Sequence, residues 1–115
     1  MFGGPSVHNP DSWVIIKMIG LEPQGPDYFY KVLAGWSGGY LDGDSWRMNS
    51  GIDKIEDDGE YWKFIGASGS VYRCHKNGET MRMSMAGTWT QLKEKFPDNV
   101  ELVKAEDIIP EFISA

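Results

Sequence analysis

Three glycine turns cut the middle of this chain into runs too short for helices: Asp57-Asp58-Gly59, Gly66-Ala67-Ser68-Gly69 and Asn77-Gly78. Asp-Gly and Asn-Gly suit two-residue hairpins, because both central positions of a type I′ turn need positive φ. Between them lie short β-branched and aromatic stretches that read as strands at 47–56, 60–65, 70–76 and 79–83, the first bent at Ser50-Gly51. Upstream, residues 13–19 are apolar almost throughout, so a strand buried on most of both faces is expected. Residues 28–36 form a second strand after a loop holding Pro23, Gly25 and Pro26.

The helical signal comes late. Thr88-Trp89-Thr90-Gln91 has capping-box form, and Trp89, Leu92 and Phe96 follow at helical spacing before Pro97. Residues 100–104 read as a short strand, and 106–112 as a last helical turn interrupted at Pro110. Together these parts predict an α+β chain: an antiparallel twisted β-sheet or small open barrel in meander order, with one C-terminal helix packed against it. A flexible tail over 1–12 and a single domain over 13–115 are expected.

Charge narrows the partners. The chain has 17 acids against 11 bases, a net charge of -6, whereas a nucleic-acid binder shows a basic excess. No nucleic-acid partner is expected, and no apolar run is long enough for a membrane partner. The lone Cys74 excludes an internal disulfide and suits a reducing, cytoplasmic setting. Acids gather at 53–60 and 98–111, as solvated faces or as a patch for a basic protein.

Candidate chemistry is sparse. Cys74 and His75 are strand neighbours and point to opposite faces, so they make no thiol–imidazole pair; Cys74 reads as core beside Tyr72. Arg73 and His75 share the other face and can meet an anion. Asp42 and Asp44 flank Gly43 but fail the EF-hand spacing, because Arg47 stands where glycine is required. Two histidines and one cysteine are too few for a structural zinc site, and neither metal nor cofactor is expected. The least ordinary segment is 35–46, rich in glycine and flanked by Trp36, Tyr40 and Trp46, with Asp42, Asp44 and Arg47 nearby. Glycines let a backbone approach a ligand, aromatics give flat area and polar groups orient it. The same residues can equally cover the end of a small sheet.

Residues 39–52, Gly-Tyr-Leu-Asp-Gly-Asp-Ser-Trp-Arg-Met-Asn-Ser-Gly-Ile, with 69–76, Gly-Ser-Val-Tyr-Arg-Cys-His-Lys, resemble stretches in small proteins of mobile DNA, those carried by tailed phages and integron gene cassettes. The resemblance spans roughly 28–80 and carries over no catalytic residue. It implies a compact accessory protein that binds a host factor or a signalling molecule.

Three functions follow as expectations. The first is a binding module for a small-molecule ligand or host protein, using Trp36, Tyr40, Asp42, Asp44, Trp46, Arg47, Arg73 and His75. The second is an acidic inhibitor that mimics nucleic acid toward a basic host protein. The third is a small hydrolase built on Asp42, Asp44, Arg73 or His75. A homodimer is also expected, through Phe2 and the apolar Ile108, Ile109, Phe112 and Ile113.

Overall fold

The apolar run that begins the domain has no polar face because both of its faces are covered. In the computed structural model, which describes residues 7–21, 23–36 and 45–113, it is strand β2 (Ser12–Ile19). The other elements are β1 (Val7–His8), β3 (Tyr28–Trp36), β4 (Ser45–Met48), β5 (Ile52–Asp58), β6 (Tyr61–Gly66), β7 (Val71–His75), α1 (Met83–Lys95), β8 (Val100–Val103) and α2 (Ala105–Phe112). The chain is α+β, and its strands are antiparallel except for the short β1–β7 pair. They form two four-stranded sheets, ordered β1-β7-β6-β5 and β4-β3-β2-β8, and neither closes into a barrel.

Strand alternation assigns the layers. Trp13 and Ile15 point with Tyr30, Val32 and Ala34 into the space between the sheets. There they meet Ile55, Phe64, Tyr72 and Cys74 of the other sheet and Ile108 of α2. Val14, Ile16 and Met18 point the other way with Leu33 onto Met85 of α1, with Trp89, Leu92 and Phe96 around them. The order is therefore sheet, sheet, helix, with α2 closing the inter-sheet core. Cys74 lies in that core as expected, and burial pushes its thiol pKa up. Among the described residues no helix is long and apolar enough to cross a membrane.

Several expectations fail for identifiable reasons. The single strand expected over 47–56 is two strands in different sheets, parted at Gly51, whose φ of 138° few other residues adopt. Asp58 pairs with Tyr61, so the hairpin centre is Gly59-Glu60, with positive φ at Gly59 alone; this φ pattern fits type II′ rather than I′. Asn77-Gly78 makes no hairpin. It lies in a 3-10 turn, and the expected strand over 79–83 is reduced to one parallel bridge, Trp13 to Glu79. The cause is Trp13: its indole N–H donates to the His75 carbonyl (2.8 Å), and its own carbonyl accepts from Thr80 N–H (2.9 Å). Those bonds draw the chain across to the other sheet.

The helix begins at Met83, before the Thr88 box, and the added turn seats the buried Met85. Helix α2 continues through Pro110 because both ends are secured. Glu79 accepts the Ala105 N–H (2.8 Å), and Glu111 accepts the hydroxyls of Tyr28 (2.7 Å) and Tyr30 (2.5 Å). Val7 and His8 pair with β7, so part of the expected tail belongs to the sheet. Ile108 is buried, while Ile109, Phe112 and Ile113 pack on the same core. Much of the apolar surface invoked for a homodimer thus packs within the chain, while Phe2 lies outside the described residues.

Two measurements test this packing. A Cβ on Gly35 would lie 2.7 Å from the Met85 sulfur. Gly35→Ala is expected to destabilise by about 1–3 kcal/mol through overpacking, and Met85→Ala by about 2–5 kcal/mol through the cavity it leaves. The double variant should lose less than the sum, because the cavity accepts the new methyl, as urea denaturation will show. Hydrogen bonds from Tyr30 and Tyr28 hold the Glu111 carboxyl below its ordinary value. That contribution is full above the unfolded pKa and is lost as pH falls through the lower folded one. Acid denaturation should therefore be less steep in Glu111→Gln below about pH 4.5.

Candidate functional site

The β3–β4 hairpin brackets the glycine-rich segment, and its register decides where the aromatic residues go. Trp36 pairs with Ser45, Gly35 with Trp46 and Ala34 with Arg47. Directly opposed residues share a face, so Trp36 and Arg47 point toward the first sheet, while Trp46 points toward α1. The two tryptophans therefore leave this edge of the sheet from opposite faces. Tyr40, Asp42 and Asp44 lie outside the described residues.

On the Trp36 face, strand β1 supplies a residue that sequence reasoning assigned to the tail. His8 stands 6.3 Å from Trp36 edge-on and 4.8 Å from Tyr72, ring centre to ring centre. Trp36 Nε1 donates to the Asn9 carbonyl (3.0 Å), which fixes its indole against β1. The edges of β1 and β4 thus bound a groove of about 390 Å³. His8, Asn9, Trp36, Ser45, Trp46 and Arg47 line it. Burial first, and then the positive charge of Arg47, lower the His8 pKa, which favours the neutral imidazole at pH 7. Arg47 is exposed. Among the described residues it forms no ion pair.

The remaining candidates lie elsewhere. Trp46 borders a separate hollow of about 240 Å³ with Met48, Thr88, Gln91, Leu92 and Lys95. Arg73 lies on the face of β7 opposite Tyr72. Its Nε donates to Asp58 (2.8 Å), its guanidinium stacks 3.7 Å over the Tyr61 ring, and that bond lowers the Asp58 pKa. His75 Nδ1 accepts the Asn77 N–H (3.1 Å), and its ring meets Tyr61 edge-on. Arg73 and His75 do share a face, but it is not the face that lines the groove. Among the described residues no three His, Cys, Asp or Glu side chains converge as a metal site would require.

Comparison with protein-family models, with curated proteins and with solved structures finds no match.

The two tryptophans should differ in their structural weight. Trp36 is half-buried against the core and hydrogen-bonded, whereas Trp46 is 48% exposed. Trp36→Ala is expected to cost about 2–3 kcal/mol and Trp46→Ala less than about 1 kcal/mol, both measured by urea denaturation.

Proposed function

We propose that this protein is a binding module and that its site is the groove between the edges of β1 and β4. We further propose that its ligand is a small planar molecule bearing a negative group. The observation that carries the reading is the convergence of His8, Trp36 and Arg47 on one groove. The indole and imidazole offer flat contact area, and the guanidinium, planar and always charged, suits a carboxylate or phosphate. The segment over 37–44, between Trp36 and Ser45 in the sequence, is rich in glycine, a residue that permits close backbone approach.

The competing readings find less support. Lys76 and Arg73 hold Asp57 and Asp58, which draws part of the 53–60 acidic run away from a basic partner. Arg73 and His75 are engaged on another face, which weakens a hydrolase built on them. An accessory role for a mobile element in the cytoplasm accords with the resemblance and with an unpaired, buried Cys74. In that role the ligand would be a signalling molecule.

A thermal-shift panel of aromatic carboxylates and nucleoside monophosphates tests the proposal. A ligand at a hundred times its Kd stabilises by about 2.7 kcal/mol, which raises Tm by roughly 10 °C in a domain of this size. Arg47→Met should abolish the shift while leaving the unliganded Tm unchanged. An equal shift in that variant, or none across the panel, overturns the assignment. The affinity should also rise as pH falls from 7 toward 5.5. An anion beside His8 raises its lowered pKa, so binding takes up a proton, and His8→Phe should flatten the profile.

A further inference from the structure

Among the described residues β1, β5, β4 and β8 lie at the edges of the two sheets. A free edge offers backbone N–H and C=O groups to any extended chain, so folded proteins blunt it. Strand β1 is only two residues long, and β5 carries five charged side chains in seven residues. On β8, Lys93 Nζ takes the Val100 carbonyl and the Asp107 N–H takes the Lys104 carbonyl.

Edge β4 is different. The Asn49 N–H donates to the Val32 carbonyl (3.1 Å), and Asn49 Oδ1 accepts the Val32 N–H (2.9 Å). That pair continues the register in which Ala34 faces Arg47 and Trp36 faces Ser45. Bonded pairs alternate along an antiparallel ladder. Ser45 and Arg47 therefore turn their backbone groups toward β3, while Trp46 and Met48 turn theirs outward. Among the described residues no strand pairs with that side. The side chains of the same two residues border the hollow of about 240 Å³ completed by Thr88, Gln91, Leu92 and Lys95 of α1. Lys95 is the one charged group in that lining, and among the described residues it enters no ion pair.

An unpaired edge running beside a helix, with an apolar hollow between them, suits an added strand. Main-chain bonds supply affinity and the hollow selects a side chain. A chain added antiparallel bonds through the residues opposite Trp46 and Met48. Those residues are two apart, so both project toward α1. One fills the hollow with apolar atoms, and the other brings a carboxylate to Lys95. Strand β4 of a second copy would bring Trp46 and Met48 to that face, and no carboxylate.

We propose that β4 is a docking edge for an extended segment of a partner protein, which adds to the sheet as a fifth strand and carries an aliphatic and an acidic residue two apart. Neither His8 nor Arg47 takes part, so this site stands or falls separately from the groove.

A two-dimensional NMR titration of the full chain with the peptide acetyl-Thr-Leu-Thr-Glu-Thr-amide tests this. Saturable shifts are expected at the amides of Trp46, Met48, Gln91 and Lys95. Methylating the leucine nitrogen removes a main-chain donor and should weaken binding about fivefold. Glutamine in place of the peptide's glutamate should weaken it about threefold, and Lys95→Met should erase that difference. Trp46→Ala, for which only a small loss of stability is expected, should abolish saturation. Arg47→Met should still bind the peptide. Shifts that map elsewhere, no saturation, or equal affinity for either altered peptide would each overturn the proposal. Concentration-dependent shifts along β4 without peptide would also overturn it, by assigning the edge to a second copy.

Discussion

Trp13 stands where the two sheets and the crossover between them meet, and it is fully buried. Its ring packs 5.2 Å from Phe64 of the opposite sheet, its indole N–H holds the end of β7, and its carbonyl holds Thr80. A buried indole N–H without a partner would cost on the order of 1–3 kcal/mol, so the position of the His75 carbonyl is tightly constrained. That constraint carries the chain from one sheet to the other. It sets where α1 begins, and hence how Met85 reaches the second face of β2. With both faces occupied, β2 is the central layer against which the remaining elements are arranged.

The parts legible in the sequence are those whose signal is local. Residues 28–36 alternate on their own, and the stripe of Trp89, Leu92 and Phe96 declares a helix whatever surrounds it. Cys74 and Tyr72 share a face by parity alone. The misreadings share a different cause. Asn77-Gly78 is a strong turn dipeptide, but docking on Trp13 overrides it. Val7 and His8 make a parallel strand of two residues, too short to show any period, so the imidazole that lines the groove gave no sign of itself. Trp36 and Trp46 flank the same glycine-rich segment in the sequence, yet their faces depend on hairpin register. A slip of one residue would have put them on one face.

The two ends of β3 differ in electrostatic character. At the Trp36 end a guanidinium and an imidazole border the groove, while at the Tyr28 end two carboxylates border a cavity. Both lie on the face of the strand that looks into the inter-sheet core. The tyrosine hydroxyls on Glu111 and the indole N–H on Asn9 use polar groups at both margins to fix side chains. Among the described residues that line the groove Arg47 carries the charge, although the chain as a whole has a net charge of -6.

The pairing of Ile15 with Val103 joins residues separated by most of the sequence. By contrast, the β5-β6-β7 meander is built entirely from near neighbours. Loop closure favours the meander, so it can assemble early, whereas β8 must wait for a distant strand. Until β8 arrives, the apolar edge of β2 remains unpaired. Refolding at high protein concentration would therefore set intramolecular closure against association between chains at this edge.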